Sequence, residues 1–324
     1  MPKVDTVYAR VMGDATEAVP LLSEWLPNTV FSPLVVPTQR GWTSFNPSLV
    51  VRRDGRVQAT VRSSNYRIDA TGRYEIDDPQ KIVRSMTRIV DLDEQLRPGA
   101  ASSIRELADA TVYESTIRGY EDVRLFESDH GLGALAVVRD RDSSPTCRIV
   151  LLELDDSAQV TRELLIAGPD SDRHEKNWIP IRADRDTLHL IYAWDPLHAG
   201  ELNLSTGALR LAPPAESAWH GARGGGGGAS IDGRADGDRL FVVHEPVTMP
   251  DWSRRYVHKF VTVSADGAPR RSSPYFVFLG HGIEFAAGLV IVDGRVLVSF
   301  GREDAEAWIA SFPASELRAR MEAA

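Results

Sequence analysis

The chain has 324 residues, of which 43% are hydrophobic and 26% are charged, an ordinary composition for a globular protein. Its formal net charge is −9 and no basic stretch stands out, which argues against a nucleic-acid backbone as the partner. Cys147 is the only cysteine, so an intramolecular disulfide and a cysteine zinc cluster are both excluded.

The sequence has no pattern typical of a membrane or secretory segment. The first residues, Met1–Asp5, lead into no apolar signal segment, and no apolar run approaches the ~18–20 residues that cross a bilayer. We therefore expect a cytoplasmic protein without a membrane span.

Residues 1–41 contain scattered apolar positions and four prolines between positions 20 and 37. Proline has no backbone N–H to donate to a β-ladder. We expect an irregular lead-in that packs on the rest of the protein, with one short helix at Glu17–Trp25.

From Ser48 onward, β-strand patterns dominate. Two apolar runs, Leu49–Val51 and Val57–Val61, flank Asp54-Gly55, and Asp-Gly between apolar runs is a strong hairpin signal. Similar strand patterns return after turn-like segments at 134–138, 187–192, 239–243 and 289–300.

Helical patterns are rare after the lead-in. We expect a helix only at Ile104–Ala110 and at the C-terminus, where Ser315 would cap a helix over Glu316–Glu322.

Five polar clusters each lie beside one of these strand patterns. Counted at Asn46, Asp122, Lys176, Gly224 and Glu284, they are separated by 76, 54, 48 and 60 residues. This period suits propeller blades of about 40–50 residues with loop insertions. We predict an all-β fold, a single five-bladed β-propeller over residues 42–324 with the irregular lead-in and a short C-terminal helix. The five clusters would begin the inner strands and converge on one central ligand.

Gly224–Gly228 is the one low-complexity run. It is either a flexible surface loop or a backbone that must pass close to a ligand or an axial pocket, where only glycine fits.

The sequence contains none of the common motifs for metals, nucleotides or an activated serine. It has no Walker loop and no Gly-x-Ser-x-Gly, and its eight histidines show no metal-ligand spacing. We predict no metal and no cofactor. Carboxylates, arginines, one lysine and aromatic groups remain, and these are the residue types that a sugar site needs.

Asp122 is the candidate general acid or base. Strand alternation would place Asp122 and Arg124 on one face, where Arg124 could orient Asp122 or bind an anionic group. The alternative is a purely structural ion pair.

For each of the other candidate residues, a purely structural role is the alternative to ligand binding. Lys176 could lie in a solvated loop, and Asn46 with Ser48 could form a common Asn-Pro-Ser turn. His244 could be a structural group at the end of a strand, and Asp304 could cap a turn.

Taken in order, these motifs resemble the five-bladed β-propeller enzymes of glycoside hydrolase family 130, the β-mannoside phosphorylases, and the related β-1,2-mannosyltransferases. The similarity runs from about Asn46 to Asp304. Glu121-Asp122-Val123-Arg124 is similar to the family's Glu-Asp-Pro-Arg segment, which holds the general acid, with Val123 in place of proline. Ser299-Phe300-Gly301 ending at Asp304 is similar to the closing Tyr-Gly-x-x-Asp segment, whose carboxylate binds sugar.

The resemblance implies roles in the other blades. Asn46, Ser48 and Arg62 match positions that hold the sugar. The segment from Arg223 to Tyr256 is similar to the family's Lys-Ile-Gly-Gly-Gly, strand, His-Gly and Tyr stretch. Together the clusters and the resemblance give these candidate substrate-binding residues: Asn46, Ser48, Arg62, Arg124, Lys176, Trp194, Tyr256, Glu284 and Asp304.

The anion site departs from the family's pattern. Family phosphorylases hold phosphate with two arginines and a histidine, and Arg173 and His244 match two of these groups. Arg223 replaces a lysine as a further anion-binding candidate, and Trp194 occupies the remaining arginine position. Because tryptophan cannot bind phosphate bidentately, transfer from a sugar nucleotide or hydrolysis is open as well. Trp194 would then stack on a sugar or a nucleobase.

The resemblance implies a carbohydrate-active enzyme that makes or breaks a mannoside-type glycosidic bond, as a glycosyltransferase, a glycoside phosphorylase or a hydrolase. Its partners would be a sugar or glycan and either phosphate or a nucleotide sugar. One alternative is a non-catalytic glycan-binding propeller, favoured by the arginine lost at Trp194. A structural interaction propeller would leave the polar clusters as an unexplained cost of burial.

Overall fold

The computed structural model describes residues 19–69, 73–107, 113–144, 146–170, 172–215, 219, 221–234, 237–248, 254–264 and 267–323. Two elements precede the first blade: helix α1 (Leu22–Trp25) and strand β1 (Val30–Pro33). Helix α1 is shorter than expected, since residues 19–21 are not helical and residues 17 and 18 lie outside the described part.

The first two blades each hold four antiparallel strands. Blade one is formed by β2 (Thr43–Val51), β3 (Val57–Ser64), β6 (Val83–Leu92) and β7 (Ser102–Ile104). Between β3 and β6 a separate hairpin is formed by β4 (Tyr66–Ile68) and β5 (Tyr74–Ile76), and β8 (Ile117–Arg118) pairs with β6. Blade two follows with β9 (Glu121–Ser128), β10 (Gly131–Val138), β11 (Arg148–Leu154) and β12 (Val160–Ile166).

Three more blades complete the ring. Blade three is formed by β13 (Ile179–Asp184), β14 (Thr187–Trp194), β15 (Leu197–Asn203) and β16 (Leu209–Leu211). Blade four contains β17 (Gly224–Ser230), β18 (Arg239–Thr248), β19 (Arg254–Val263) and β20 (Pro269–Ser272). Blade five contains β21 (Glu284–Val292), β22 (Arg295–Arg302) and β23 (Glu306–Pro313), and helix α2 (Ala314–Arg320) and strand β24 (Glu322–Ala323) end the chain.

The five inner strands β2, β9, β13, β17 and β21 contact one another in a closed ring. The predicted five-bladed β-propeller with a short C-terminal helix is therefore confirmed. Neither α1 nor α2, the helices of the described residues, has the length and apolar content to span a membrane.

Segments from both outer parts of the chain, β1 and β24, add strands to the last two blades. Strand β1 pairs antiparallel with β23, from Val30 opposite Ser311 to Pro33 opposite Trp308, and so becomes the outer strand of blade five. Strand β24 pairs with β20 and adds a fifth strand to blade four. The lead-in thus contributes a strand that the sequence pattern did not reveal.

Two helix predictions are corrected. Ile104 ends β7 and Arg105–Leu107 are not helical, while residues 108–110 lie outside the described part. Helix α2 begins at Ala314, and the preceding Pro313 offers no side-chain cap, so Ser315 lies inside the first turn.

The hydrophobic core consists of layers between neighbouring blades. Side chains alternate along a strand, so each strand serves two layers. In β18, Leu240 and Val242 pack toward blade five, while Phe241 and Val243 pack toward blade three. Burial of both faces explains why the sequence shows continuous apolar runs rather than strict alternation.

Gly224–Gly228 lies in β17, so the surface-loop interpretation is wrong. A Cβ atom on Gly226 would lie 2.6 Å from the carbonyl carbon of Ala287 in β21, and one on Gly228 would lie 2.9 Å from Cα of Ile181 in β13. Glycine is required because β17 is compressed between two inner strands.

We expect Gly226→Ala to destabilise the protein by about 1–3 kcal/mol or more, because backbone atoms would have to move to admit the methyl group. Gly99→Ala is the control, since its Cβ would meet Asp91 O at an ordinary 3.5 Å, and we expect a change within about 0.5 kcal/mol. Urea unfolding measures both. Equal stabilities of the two variants would contradict the compression of β17.

Candidate functional site

Asn46 and Asp122 occupy equivalent positions in blades one and two. Both have φ of 48°, in the left-handed region that Asn and Asp tolerate better than most residues. Each lies in a β-bulge of its inner strand, between Phe45 and Ser48 in β2 and between Glu121 and Arg124 in β9. The bulges bring the two side chains together, and Asn46 Nδ2 donates to Asp122 Oδ1 at 3.1 Å.

Arg62, on β3, joins this pair to Glu121. Its Nη1 donates to Asp122 Oδ1 at 3.2 Å, and its Nη2 donates to Glu121 Oε1. Its Nε donates to Ser85 Oγ at 3.0 Å, and the guanidinium carbon lies 5.2 Å from the ring centroid of Phe45. Buried on all sides, Arg62 holds two carboxylates in fixed positions.

The electrostatic surroundings keep Asp122 ionised. Burial raises the pKa of Asp122, but the positive charge of Arg62, the Asn46 hydrogen bond and the charge of Arg124 outweigh it and leave the pKa below its ordinary value. The side chain retains 21% of its solvent exposure. Asp122 is therefore a reachable carboxylate that can accept a hydrogen bond or a proton from a hydroxyl group.

Arg124 does not share a face with Asp122 in the simple way that alternation predicts, because the bulge intervenes. Its Nη1 donates to the carbonyl oxygens of Gly225 and Ala287, the latter at 2.7 Å. Burial lowers the pKa of Arg124 to about 10. Arg124 thus connects blade two with blades four and five and acts on Asp122 through its charge.

Asp304 and Tyr256 face the same centre. Tyr66 OH donates to Asp304 Oδ2 at 2.9 Å, and burial raises the pKa of Asp304. The charges of both Asp304 and Asp122 act on the Tyr256 hydroxyl, whose pKa burial raises. The structure therefore brings Asn46, Arg62, Asp122, Tyr256 and Asp304 together.

Gly301, in the segment that ends at Asp304, makes room for the Asn46 side chain. A Cβ atom on Gly301 would lie 2.2 Å from Asn46 Oδ1, so the glycine leaves space for the amide. Ser48 follows the bulge, is 4% exposed, and lies with its backbone against Gly288 of β21.

His244 is a deeply buried, neutral imidazole. Burial lowers its pKa well below the ordinary value. Its Nδ1 lies 3.2 Å from Ala286 O, and a carbonyl oxygen can only accept, so Nδ1 carries the proton and Nε2 is an acceptor. This tautomer argues against the predicted contact with an anion.

The predicted anion-binding arginines lie on exposed loops. The guanidinium carbon of Arg173 is 5.5 Å from the ring centroid of Tyr192 in blade three. Arg223 precedes β17, where its N–H donates to His244 O and its carbonyl accepts from Asn177 Nδ2. Lys176 is exposed too, and its charge acts on Cys147 together with that of Arg139.

Trp194 is a core residue, and its prediction as a stacking platform is wrong. It is 2% exposed. Its ring centroid lies 5.7 Å from that of Trp219 and 5.2 Å from that of Phe241, both edge to face. Trp194 therefore packs between blades three and four, where it has no free face for a sugar or a nucleobase.

Glu284 also differs from its prediction as a sugar contact. Its carboxylate accepts the backbone N–H groups of Phe278, Leu279 and Gly280 at 2.7, 2.7 and 3.1 Å. The residue is 1% exposed, and burial raises its pKa to about 7. Glu284 anchors the loop that precedes β21.

Several residues near the centre were missed by sequence reasoning. Glu121 was adjacent to the predicted acid, but its bond to Arg62 requires the fold. Tyr66 and Ser85 carried no local signal. Asn177, with φ of 64°, shares the left-handed conformation of Asn46 and Asp122 and could have been found by its place at the start of the third blade. Among the described residues, no group of three His, Cys, Asp or Glu could hold a metal ion.

No family model matches the chain, and no curated protein sequence matches it either. Solved structures do match. A β-1,2-mannobiose phosphorylase from Listeria innocua, in complex with β-1,2-mannobiose, is 12% identical with a TM-score of 0.56, over 93% of this chain and 98% of that one. The chain shares its five-bladed fold.

Two further structures give the same result. A mannose phosphorylase from Leishmania mexicana, in complex with a phosphate ion, is 13% identical with a TM-score of 0.54, over 90% of each chain. A glycosyl hydrolase from Bacteroides ovatus is 10% identical with a TM-score of 0.52, over 92% of this chain and 94% of that one. At these identities the likeness establishes the fold, and the chemistry has to come from the residues of this chain.

Glu284 should make stability depend on pH. The Glu284 carboxyl group loses its proton near pH 4.5 in the unfolded chain and near pH 7 in the folded protein. The free energy of unfolding therefore falls as the pH rises between these values. The wild-type free energy of unfolding should fall by on the order of 3 kcal/mol over this pH range. We expect Glu284→Gln, whose side chain does not titrate, to abolish that fall. Urea unfolding at pH 4.5 to 7.5 measures the slope.

The exposed Glu306→Gln is the matched control, and we expect it to keep the wild-type slope. If Glu284→Gln also keeps that slope, the buried carboxylate does not titrate as described.

Proposed function

We propose that this protein is a carbohydrate-active enzyme that makes or breaks a mannoside-type glycosidic bond, with Asp122 as the proton-transfer group. The supporting observation is the Asn46–Asp122–Arg62 cluster, which pairs a reachable carboxylate with a buried arginine at the axis of the propeller. Structures with this fold include one in complex with β-1,2-mannobiose.

The surrounding groups suit a neutral, hydroxyl-rich ligand. Asp304 accepts hydrogen bonds, while Asn46 and Tyr256 can both donate and accept. Arg62 already neutralises one of its two carboxylates, so the centre does not demand a charged substrate. In this proposal the sugar hydroxyls bond to Asp304 and Asp122, and the ionised Asp122 acts as a general base that takes a proton from the attacking water or acceptor hydroxyl.

The attacking group decides between phosphorolysis, hydrolysis and transfer. His244 presents an acceptor and Trp194 is buried, so two of the three groups expected for phosphate do not support phosphorolysis. The exposed Lys176 and Arg223 remain as cations for a phosphate-bearing donor. This balance favours hydrolysis or transfer from a nucleotide sugar over phosphorolysis.

The same observation supports a second candidate, a glycan-binding propeller without turnover. Arg62 is held by two carboxylates and a serine, which is an arrangement that could serve binding alone.

We expect Asp122→Asn to lower the turnover of a mannoside by about 10²- to 10⁴-fold, the usual contribution of general acid–base catalysis, while sugar binding persists. Asp129→Asn, which changes an exposed aspartate in the β9–β10 turn, is the control and should keep wild-type turnover. Product release from mannobiose, with and without phosphate, and from nucleotide sugars with a mannose acceptor measures turnover.

A thermal-shift panel on both variants accompanies the assay. Stabilisation by phosphate or mannose 1-phosphate would favour a phosphorylase, and stabilisation by a nucleotide sugar would favour a transferase. Sugar binding without turnover in the wild type would favour the binding propeller, and no response to any sugar would contradict the proposed function.

A further inference from the structure

The hairpin β4–β5 is an addition to the regular blade, inserted between the second and third strands of blade one. Tyr66 lies opposite Ile76 and Ile68 lies opposite Tyr74. Alternation therefore places Tyr66 and Tyr74 on one face of the hairpin and Arg67 and Glu75 on the other. The hairpin presents an aromatic face and a charged face.

The aromatic face continues a row of rings that starts at the candidate centre. The ring centroids of Phe45 and Tyr66 are 5.7 Å apart, and those of Tyr66 and Tyr74 are 5.2 Å apart. Exposure rises along this row, from 0% for Phe45 to 6% for Tyr66 and 61% for Tyr74. The row thus runs outward from buried structure to solvent.

Both inner rings are tied to the polar centre. Arg62, which holds Asp122, lies over Phe45, and Tyr66 donates to Asp304. The charges of Asp304 and Arg62 also reach the Tyr74 hydroxyl. Tyr74 therefore stands at the rim of the site, one ring beyond the residue that holds Asp304.

A single exposed tyrosine needs no explanation by itself. Tyr74 differs because its ring extends a packed row whose inner members contact the candidate centre, where Arg62 and Asp304 are polar. An aromatic ring beside hydrogen-bonding groups suits a pyranose, which has an apolar C–H face and a rim of hydroxyls.

We propose that Tyr74 is a stacking platform for the second sugar ring, adjacent to the ring bound by Asp122 and Asp304. The hairpin would then make the site prefer a disaccharide or longer glycan over a monosaccharide. This inference rests on the proposed function, since it assigns the ring next to the one at the proposed catalytic group.

The test compares the binding of β-1,2-mannobiose and of mannose by calorimetry, in wild type, Tyr74→Ala and Tyr74→Phe. We expect wild type to bind mannobiose more tightly than mannose. Tyr74→Ala should weaken mannobiose binding by about 3- to 10-fold and leave mannose within about 2-fold. Tyr74→Phe keeps the ring and should bind mannobiose nearly as wild type does. Tyr113→Ala, at an exposed tyrosine outside the row, should change neither affinity.

The outcomes separate this inference from the function on which it rests. Equal binding of both sugars by wild type, unchanged mannobiose binding by Tyr74→Ala, or an equal loss of both sugars would overturn the platform while leaving a sugar site. A wild type that binds neither sugar would overturn the platform and the mannoside function together. Circular dichroism and melting temperature confirm that each variant is folded.

Discussion

The buried guanidinium of Arg124 links three blades, and the order of the propeller's centre depends on it. A buried charge is costly unless hydrogen bonds and opposite charge compensate. Here the carbonyls of Gly225 and Ala287 accept hydrogen bonds from Nη1, and Asp122 provides the opposite charge. Gly225 has to be glycine for a separate reason, since a Cβ there would lie 1.9 Å from Val242 O of β18. The glycine run and the arginine are connected through the Gly225 carbonyl, which accepts from Arg124 Nη1.

The close packing of the inner strands also explains how Asn46 and Asp122 come to point into the centre. Inner strands that run this close cannot keep a regular ladder, and each of the five contains a shift in register against its neighbour. A bulge redirects a side chain and needs a residue that tolerates unusual backbone angles. Asn46 and Asp122 meet that need and carry the polar groups of the site. The backbone geometry and the polar contacts of the centre thus require the same short, polar residues.

Much of the fold could be predicted because its determinants are local. Asp54-Gly55 marks a hairpin, apolar runs mark strands buried on both faces, and the spacing of the clusters gives five blades. The closure by β1 could not be predicted in this way, since Phe31 pairs with Ala310 across most of the chain. The predictions that Trp194 and Glu284 bind the sugar were wrong for a related reason. A tryptophan or a glutamate has the same sequence signal in a site and in a core, and only the partners that surround it in the fold decide its role.

Asp122 and Asp304 show how one centre can hold two carboxylates in opposite electrostatic environments. Arg62 and Asn46 lower the pKa of Asp122, whereas burial raises the pKa of Asp304. Divergent environments of this kind are how protein sites separate the roles of like groups. Any ligand that covered Asp122 would displace water from it and increase its desolvation, which raises the pKa of a carboxyl group. Arg62, whose Nη1 lies 3.2 Å from Asp122 Oδ1, opposes that rise. The proton affinity of Asp122 is therefore set by a balance between burial, which raises its pKa, and the charge of the buried Arg62, which lowers it.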